Sequence, residues 1–261
     1  MKRLVLGAII VVFCTAVVFA QTYANGIYFA QDADFTNNQK NQVVVTVSGG
    51  RITAANWNVL SLNAGAQDLK SIAAAPGASA AVNTWATQTK AAEDFLVSSQ
   101  NVNATSVTNG PANVAPFFNL VRRALGGSPV AKGSYNKDGW YSALAAAADE
   151  YHTRDFVLIT VVNGTIVDVL WNGVLVGFPP SINTSKIIQS MANNNRGYPM
   201  TGARSPWHTQ AISTAAELVK AQSPDNIKMK ADNKHPDAIS GVTIEIDGFL
   251  AVSRQALQSA R

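Results

Sequence analysis

The sequence predicts an α+β fold built on antiparallel sheet, because strand-like and helix-like runs segregate along the chain instead of alternating. Residues 43–47 and 156–162 are β-branched runs. Each is followed by a turn, Gly49-Gly50 or Asn163-Gly164, and then by a second run over 52–60 or 166–176. Asn-Gly between two such runs is a strong hairpin signal, since both turn residues must take positive φ. Further on, Ile212, Ala215, Ala216 and Val219 recur at helical spacing within 207–222, with Ser205-Pro206 as cap and first-turn residue. The tail, with Phe249, Leu250, Val252, Ser253, Ala256 and Leu257, reads as a helix capped by Asp247.

The strand-then-helix order occurs twice. Asn25-Gly26-Ile27-Tyr28 resembles Asp138-Gly139-Trp140-Tyr141 at an offset of 113, and Trp57-Asn58 matches Trp171-Asn172 at 114. Trp85-Ala86-Thr87-Gln88 matches Trp207-His208-Thr209-Gln210 at 122, and Ser106-Val107-Thr108 aligns with Gly241-Val242-Thr243 at 135. Landmark order is kept while the offset grows, as duplication with loop insertion in the second copy predicts. The expected organisation is therefore a repeat over 21–126, a connector over 127–136 marked by Gly126-Gly127-Ser128-Pro129, and a second repeat over 137–261.

Composition narrows the function classes. The chain has 261 residues, 47% apolar, which excludes a mostly disordered polymer. A net charge of +4 without a basic stripe argues against a nucleic-acid partner. The single cysteine, Cys14, excludes intrachain disulfides, cysteine-ligated zinc and iron–sulfur clusters. Cys14 lies in an uncharged run, 4–20, behind Lys2 and Arg3, which matches a secretory signal peptide over 1–20 cut after Val18-Phe19-Ala20. Two alternatives stay open: the run is retained as a membrane anchor, or Cys14 is lipidated. All three place the folded part outside the cytoplasm, periplasmic or at the cell surface.

The most informative stretch is His235-Pro236-Asp237-Ala238-Ile239-Ser240-Gly241-Val242-Thr243, with a helix soon after. It resembles the flavinylation motif of the FMN-binding domain family, which includes flavin-carrying subunits of the Rnf and Nqr electron-transport complexes and many secreted flavoproteins. That pattern is Asp, two variable residues, Ser or Thr, Gly, Ala, Thr; this chain departs from it with Val242 in the Ala position. Asp138-Gly139-Trp140-Tyr141, the Asn163-Gly164 hairpin and the Trp-His-x-Gln at 207–210 resemble the secreted members too. The resemblance implies two tandem FMN-binding-like domains. It also implies covalent FMN on Thr243, joined as a phosphoester by a separate FAD-dependent flavin transferase, with Asp237, Ser240, Gly241 and Val242 forming the loop.

Elementary chemistry agrees with an external catalyst, because a threonine hydroxyl is a poor nucleophile without a base and no partner for Thr243 is readable. Gly241 would let the backbone approach a phosphate. The free N–H groups opening the last helix offer a place for it. A tether also keeps a cofactor from being diluted away outside the cell. Further candidates around the flavin are Trp207, His208, and Tyr198 and Arg204 in a loop that is longer in the second copy; for the shared tryptophans, core packing is the simpler reading. His152 and His235 lie too far apart in sequence to argue a metal site. Thr108 is expected to stay unmodified. The resulting expectation is an electron carrier working between redox partner proteins, which need not turn over a substrate itself. The rivals are a non-redox binding or adhesion module that has lost its cofactor, and an FMN-dependent reductase component.

Overall fold

A computed structural model describes residues 22–63, 68–177, 184–192 and 205–261. The fold is α+β. Strands β1 (Gly26–Gln31), β2 (Gln39–Ser48) and β3 (Arg51–Ser61) form one antiparallel sheet in sequence order. Helices α1 (Leu69–Ala74), α2 (Ala80–Ser99) and α3 (Ala115–Leu125) follow. Strands β4 (Gly139–Leu144), β5 (Thr153–Val162) and β6 (Thr165–Leu175) form a second antiparallel sheet. Helices α4 (Lys186–Ala192), α5 (Trp207–Ala221) and α6 (Asp247–Leu257) follow it.

The two sheets are built alike. Tyr28 pairs with Val45 and Tyr141 with Ile159, and each sheet carries one bulge, between Thr46 and Val47 or between Thr160 and Val161. The turns Gly49-Gly50 and Asn163-Gly164 have positive φ at both positions, the geometry that matches strand twist. Asn25 Oδ1 accepts from the Gly50 N–H, and Asp138 Oδ1 accepts from the Gly164 N–H. Position 164 requires glycine, since a Cβ there would stand 2.5 Å from the Tyr135 carbonyl oxygen.

Helices cover each sheet in the same way. α2 lies along β3 and α5 along β6; α3 packs on β2 and β1, and α6 on β5 and β4. Trp57 stacks on Phe117 at 5.2 Å, and Trp171 meets Phe249 at 4.8 Å. Asn58 Oδ1 accepts from the N–H of Lys70 at the start of α1; Asn172 Oδ1 accepts from Ile187 at the start of α4. Gln100 and Gln222 end α2 and α5 in left-handed conformation, and each side chain bonds both the N–H and the C=O of the facing strand residue, Ile52 or Ile166.

Two local expectations change. Pro206, not Ser205, occupies the cap position of α5 and makes no side-chain capping bond. Asp247 is the first residue of α6, whose cap position is Ile246. The stretch 127–136 is docked at both ends of its course: the Val130 N–H donates to Ile27 O, the Gly133 N–H to Asn163 O, and Tyr135 is buried.

A buried polar seam joins the sheets. Lys40 Nζ lies 3.0 and 3.1 Å from the two carboxylate oxygens of Asp168. Gln42 donates to Asp168 and, through Oε1, accepts from Trp140 Nε1 and Thr160 Oγ1. Leu60 and Leu62, at the end of β3, belong to the hydrophobic core under the second sheet.

Candidate functional site

The motif loop follows α5 and the short 3-10 turn Pro224–Asn226. Pro236 forms a bridge with Met229, and the Asp237 N–H donates to Lys228 O, so the loop enters as an irregular hairpin. Upstream, Asp232 accepts from the N–H groups of Lys234 and His235 and pairs with His235 Nδ1 at 2.7 Å. These bonds, the backbone ones foremost, hold its carboxyl well below the usual carboxylate range.

The loop then turns at Gly241 (φ +76°), where the Val242 N–H donates to Ile239 O. Side chains alternate across it. Val242 is buried in the core, and Ile239 and Ile244 pack against that core. Asp237, Ser240, Gly241 and Thr243 are exposed. The bulk of Val242 therefore fills interior space and does not crowd the outer face of the loop.

Gln210, which the sequence reading left outside the site, anchors this loop. Only 1% exposed, its Oε1 accepts from the N–H of Thr243 at 2.7 Å and of Ile244 at 3.2 Å, and lies 3.4 Å from Thr243 Oγ1. Its Nε2 donates to Ser205 O. One buried amide thus fixes the backbone on which the exposed hydroxyl stands. The signal was present as the fourth residue of the Trp-His-x-Gln stretch, whose counterpart Gln88 is only half-buried.

His208 lies two residues before Gln210 on α5, half-buried. Ser190 Oγ accepts from the His208 N–H at 3.1 Å and lies 2.9 Å from Nδ1. Burial lowers the His208 pKa, against a bond to the Ser190 backbone that raises it. Trp207 is 3% exposed, edge-on to Trp171 at 5.3 Å, with Lys186 Nζ 4.6 Å from its ring centroid. It is built into the core. Tyr198 and Arg204 lie outside the described residues.

A Cβ on Gly248 would stand 2.2 Å from Asp155 Oδ2, so glycine in the first helical turn lets that carboxylate close onto the helix end. The other oxygen of Asp155 accepts from Trp171 Nε1 at 2.9 Å. Burial raises the Asp155 pKa, and burial pushes the neighbouring Lys186 down to about 8 against the pull of Asp155. The Asp155 carboxylate thus stands beside the first turn of α6, at the helix end where the sequence suggested a phosphate.

The first half aligns differently at this place than its side chains suggest. Asn109 (φ +60°) takes the left-handed position that Gly241 holds, and the Gly110 N–H donates to Val107 O as the Val242 N–H does to Ile239 O. Helices α3 and α6 begin at the same distance from these turns. The offset is 132, not 135, so Pro111 stands where Thr243 does and Thr108 corresponds to Ser240. Position 110 has no room for a valine, since even a Cβ would stand 2.9 Å from that of Val107.

No protein-family model and no curated protein matches the chain. A solution NMR structure of a Clostridium thermocellum protein is similar at 39% identity, over 48% of this chain and 93% of that one, with a TM-score of 0.37. A crystal structure of a Clostridium perfringens protein is similar at 24% identity, over 48% and 88%, with a TM-score of 0.35. Both are structural genomics targets.

Proposed function

We propose that this chain is an extracytoplasmic electron-transfer flavoprotein of two tandem FMN-binding-like domains, with FMN held as a phosphoester on Thr243. The observation that carries the reading is the separation of roles in the motif. Val242 is buried and Gln210 pins the backbone from inside, while the Thr243 hydroxyl and the Asp237, Ser240 and Gly241 surface around it face outward. A separate transferase needs an exposed acceptor on a preset backbone.

In the attachment step, Thr243 Oγ1 forms a bond to the FMN-side phosphorus of FAD. The pyrophosphate P–O bond breaks, AMP leaves, and the hydroxyl proton passes to the transferase or solvent. No basic side chain is bonded to Thr243 Oγ1 among the described residues, in keeping with activation from outside. Once attached, the isoalloxazine ring supplies the redox chemistry. The chain's own part is to fix the tether through Gln210, to shield one side with the α5 surface, and to offer the His208 imidazole as a hydrogen-bonding group. Redox partner proteins deliver and take the electrons, and the N-terminal run directs export or anchors the protein at the membrane.

The test is optical. Protein made together with a flavin transferase should keep a flavin absorbance band through denaturation and gel filtration. A colourless product from a host whose transferase labels a control acceptor would contradict the proposal.

A further inference from the structure

A cavity of about 640 Å³ opens where the two sheets meet. Among the described residues none of the motif loop lines it, so it is separate from the Thr243 site. Its walls come from both halves of the chain: Phe35 and Leu62 from the first, and Val169 and Trp171 on β6 from the second. On α5, the small side chains of Ala211, Ala215 and Ala216 line it between the larger Ile212 and Val219. Only three large hydrophobics are exposed among the described residues, and two of them, Met191 and Ile212, stand on the rim.

The polar groups gather at one end. Lys40 and Asp168 lie there as a buried ion pair 3.0 Å apart, beside Gln31. The pair is internally neutral and the remaining charge on the described lining is the exposed carboxylate of Asp34, so an anionic ligand gains no net partner and a cationic one meets only a solvated carboxylate. An ammonium carries three donors, and two of them point at Asp168, which leaves one for a neutral acceptor.

We propose that this cavity binds a flat, uncharged aromatic molecule of two or three rings bearing a carbonyl acceptor, with the rings between the α5 alanines and β6 and the carbonyl toward Lys40. The volume is that of small-molecule clefts, which run about 300–1,000 Å³ with mostly apolar walls and a few polar groups that set orientation. An apolar mouth at the surface marks such an entrance. This inference is independent of the flavin reading.

The test is calorimetric titration of the full chain with 2-methyl-1,4-naphthoquinone, alongside the Thr243→Ala variant. One saturable site is expected, with the same affinity in both proteins. Ala216→Trp, which fills the slot from an exposed position, should weaken binding at least about tenfold without moving the thermal midpoint. Ile212→Glu on the exposed rim should weaken it as well, and the anionic 1,4-naphthoquinone-2-sulfonate should bind at least about tenfold less tightly than the neutral probe. Absence of saturable heat, indifference to both variants, or equal affinity for the sulfonate would overturn the proposal.

Discussion

The two halves of this molecule share their scaffold and differ at one loop. Asn58 and Asn172 organise the same helix starts, Gln100 and Gln222 clamp the same strand positions, and Trp57 and Trp171 meet an aromatic ring from the helix that follows. After the glutamine clamps they part. The first half passes through Asn109-Gly110-Pro111, and the second through a segment ten residues longer that ends in Gly241-Val242-Thr243. In the second half a core valine and a buried glutamine hold an exposed hydroxyl in place. In the first, a glycine and a proline occupy the corresponding positions. Shared residues therefore report on folding, and the unshared ones on the site.

That division can be broken by paired substitutions. Phe249→Ala and Phe117→Ala each empty a fully buried ring site, and each should cost about 3–5 kcal/mol in denaturant unfolding. A large loss in one and none in the other would end the claim of equivalent cores.

Gln210→Ala leaves the Thr243 and Ile244 N–H groups without their acceptor, which should cost about 1–3 kcal/mol and lower flavin incorporation. Gln88→Ala, at a half-buried position, should stay within about 0.5 kcal/mol. By contrast, Gln100→Ala and Gln222→Ala should lose similar amounts, about 1–2 kcal/mol each, since both clamps make the same bonds.

The finest distinction is in pH dependence. Lys186, peculiar to the second half, has its pKa lowered by burial from 10.5 to about 8 in the folded protein. Between those two values the unfolded chain binds the extra proton, so stability should rise as pH is raised from about 8 toward 10.5. Urea midpoints at pH 8 and pH 10 check the sign, and the rise should vanish in Lys186→Met.

Much of this architecture was legible in the sequence, because hairpins and helix clamps are local. Asn163-Gly164 announces its turn through the φ angles it must take, and the recurring Trp-Asn pairs fall on matching strands. The motif loop was readable as a loop from its Gly241. What was hidden depends on packing. The alignment of Ser106-Val107-Thr108 with Gly241-Val242-Thr243 went astray by three residues, because the left-handed turn is kept in backbone shape while its side chains change. Asp155 and Lys186 look like surface charges in one dimension, yet they lie inside against Gly248 and Trp207. Nor does spacing reveal that Lys40 finds Asp168 across the seam, 128 residues away.

The measurement that bears most directly on the central claim is intact mass with fragment mapping of protein co-expressed with a flavin transferase. The account predicts an added mass equal to FMN less water on the peptide containing Thr243, lost in Thr243→Ala and kept in Thr108→Ala. Unmodified protein under conditions that label a control acceptor, or modification that survives Thr243→Ala, would contradict it.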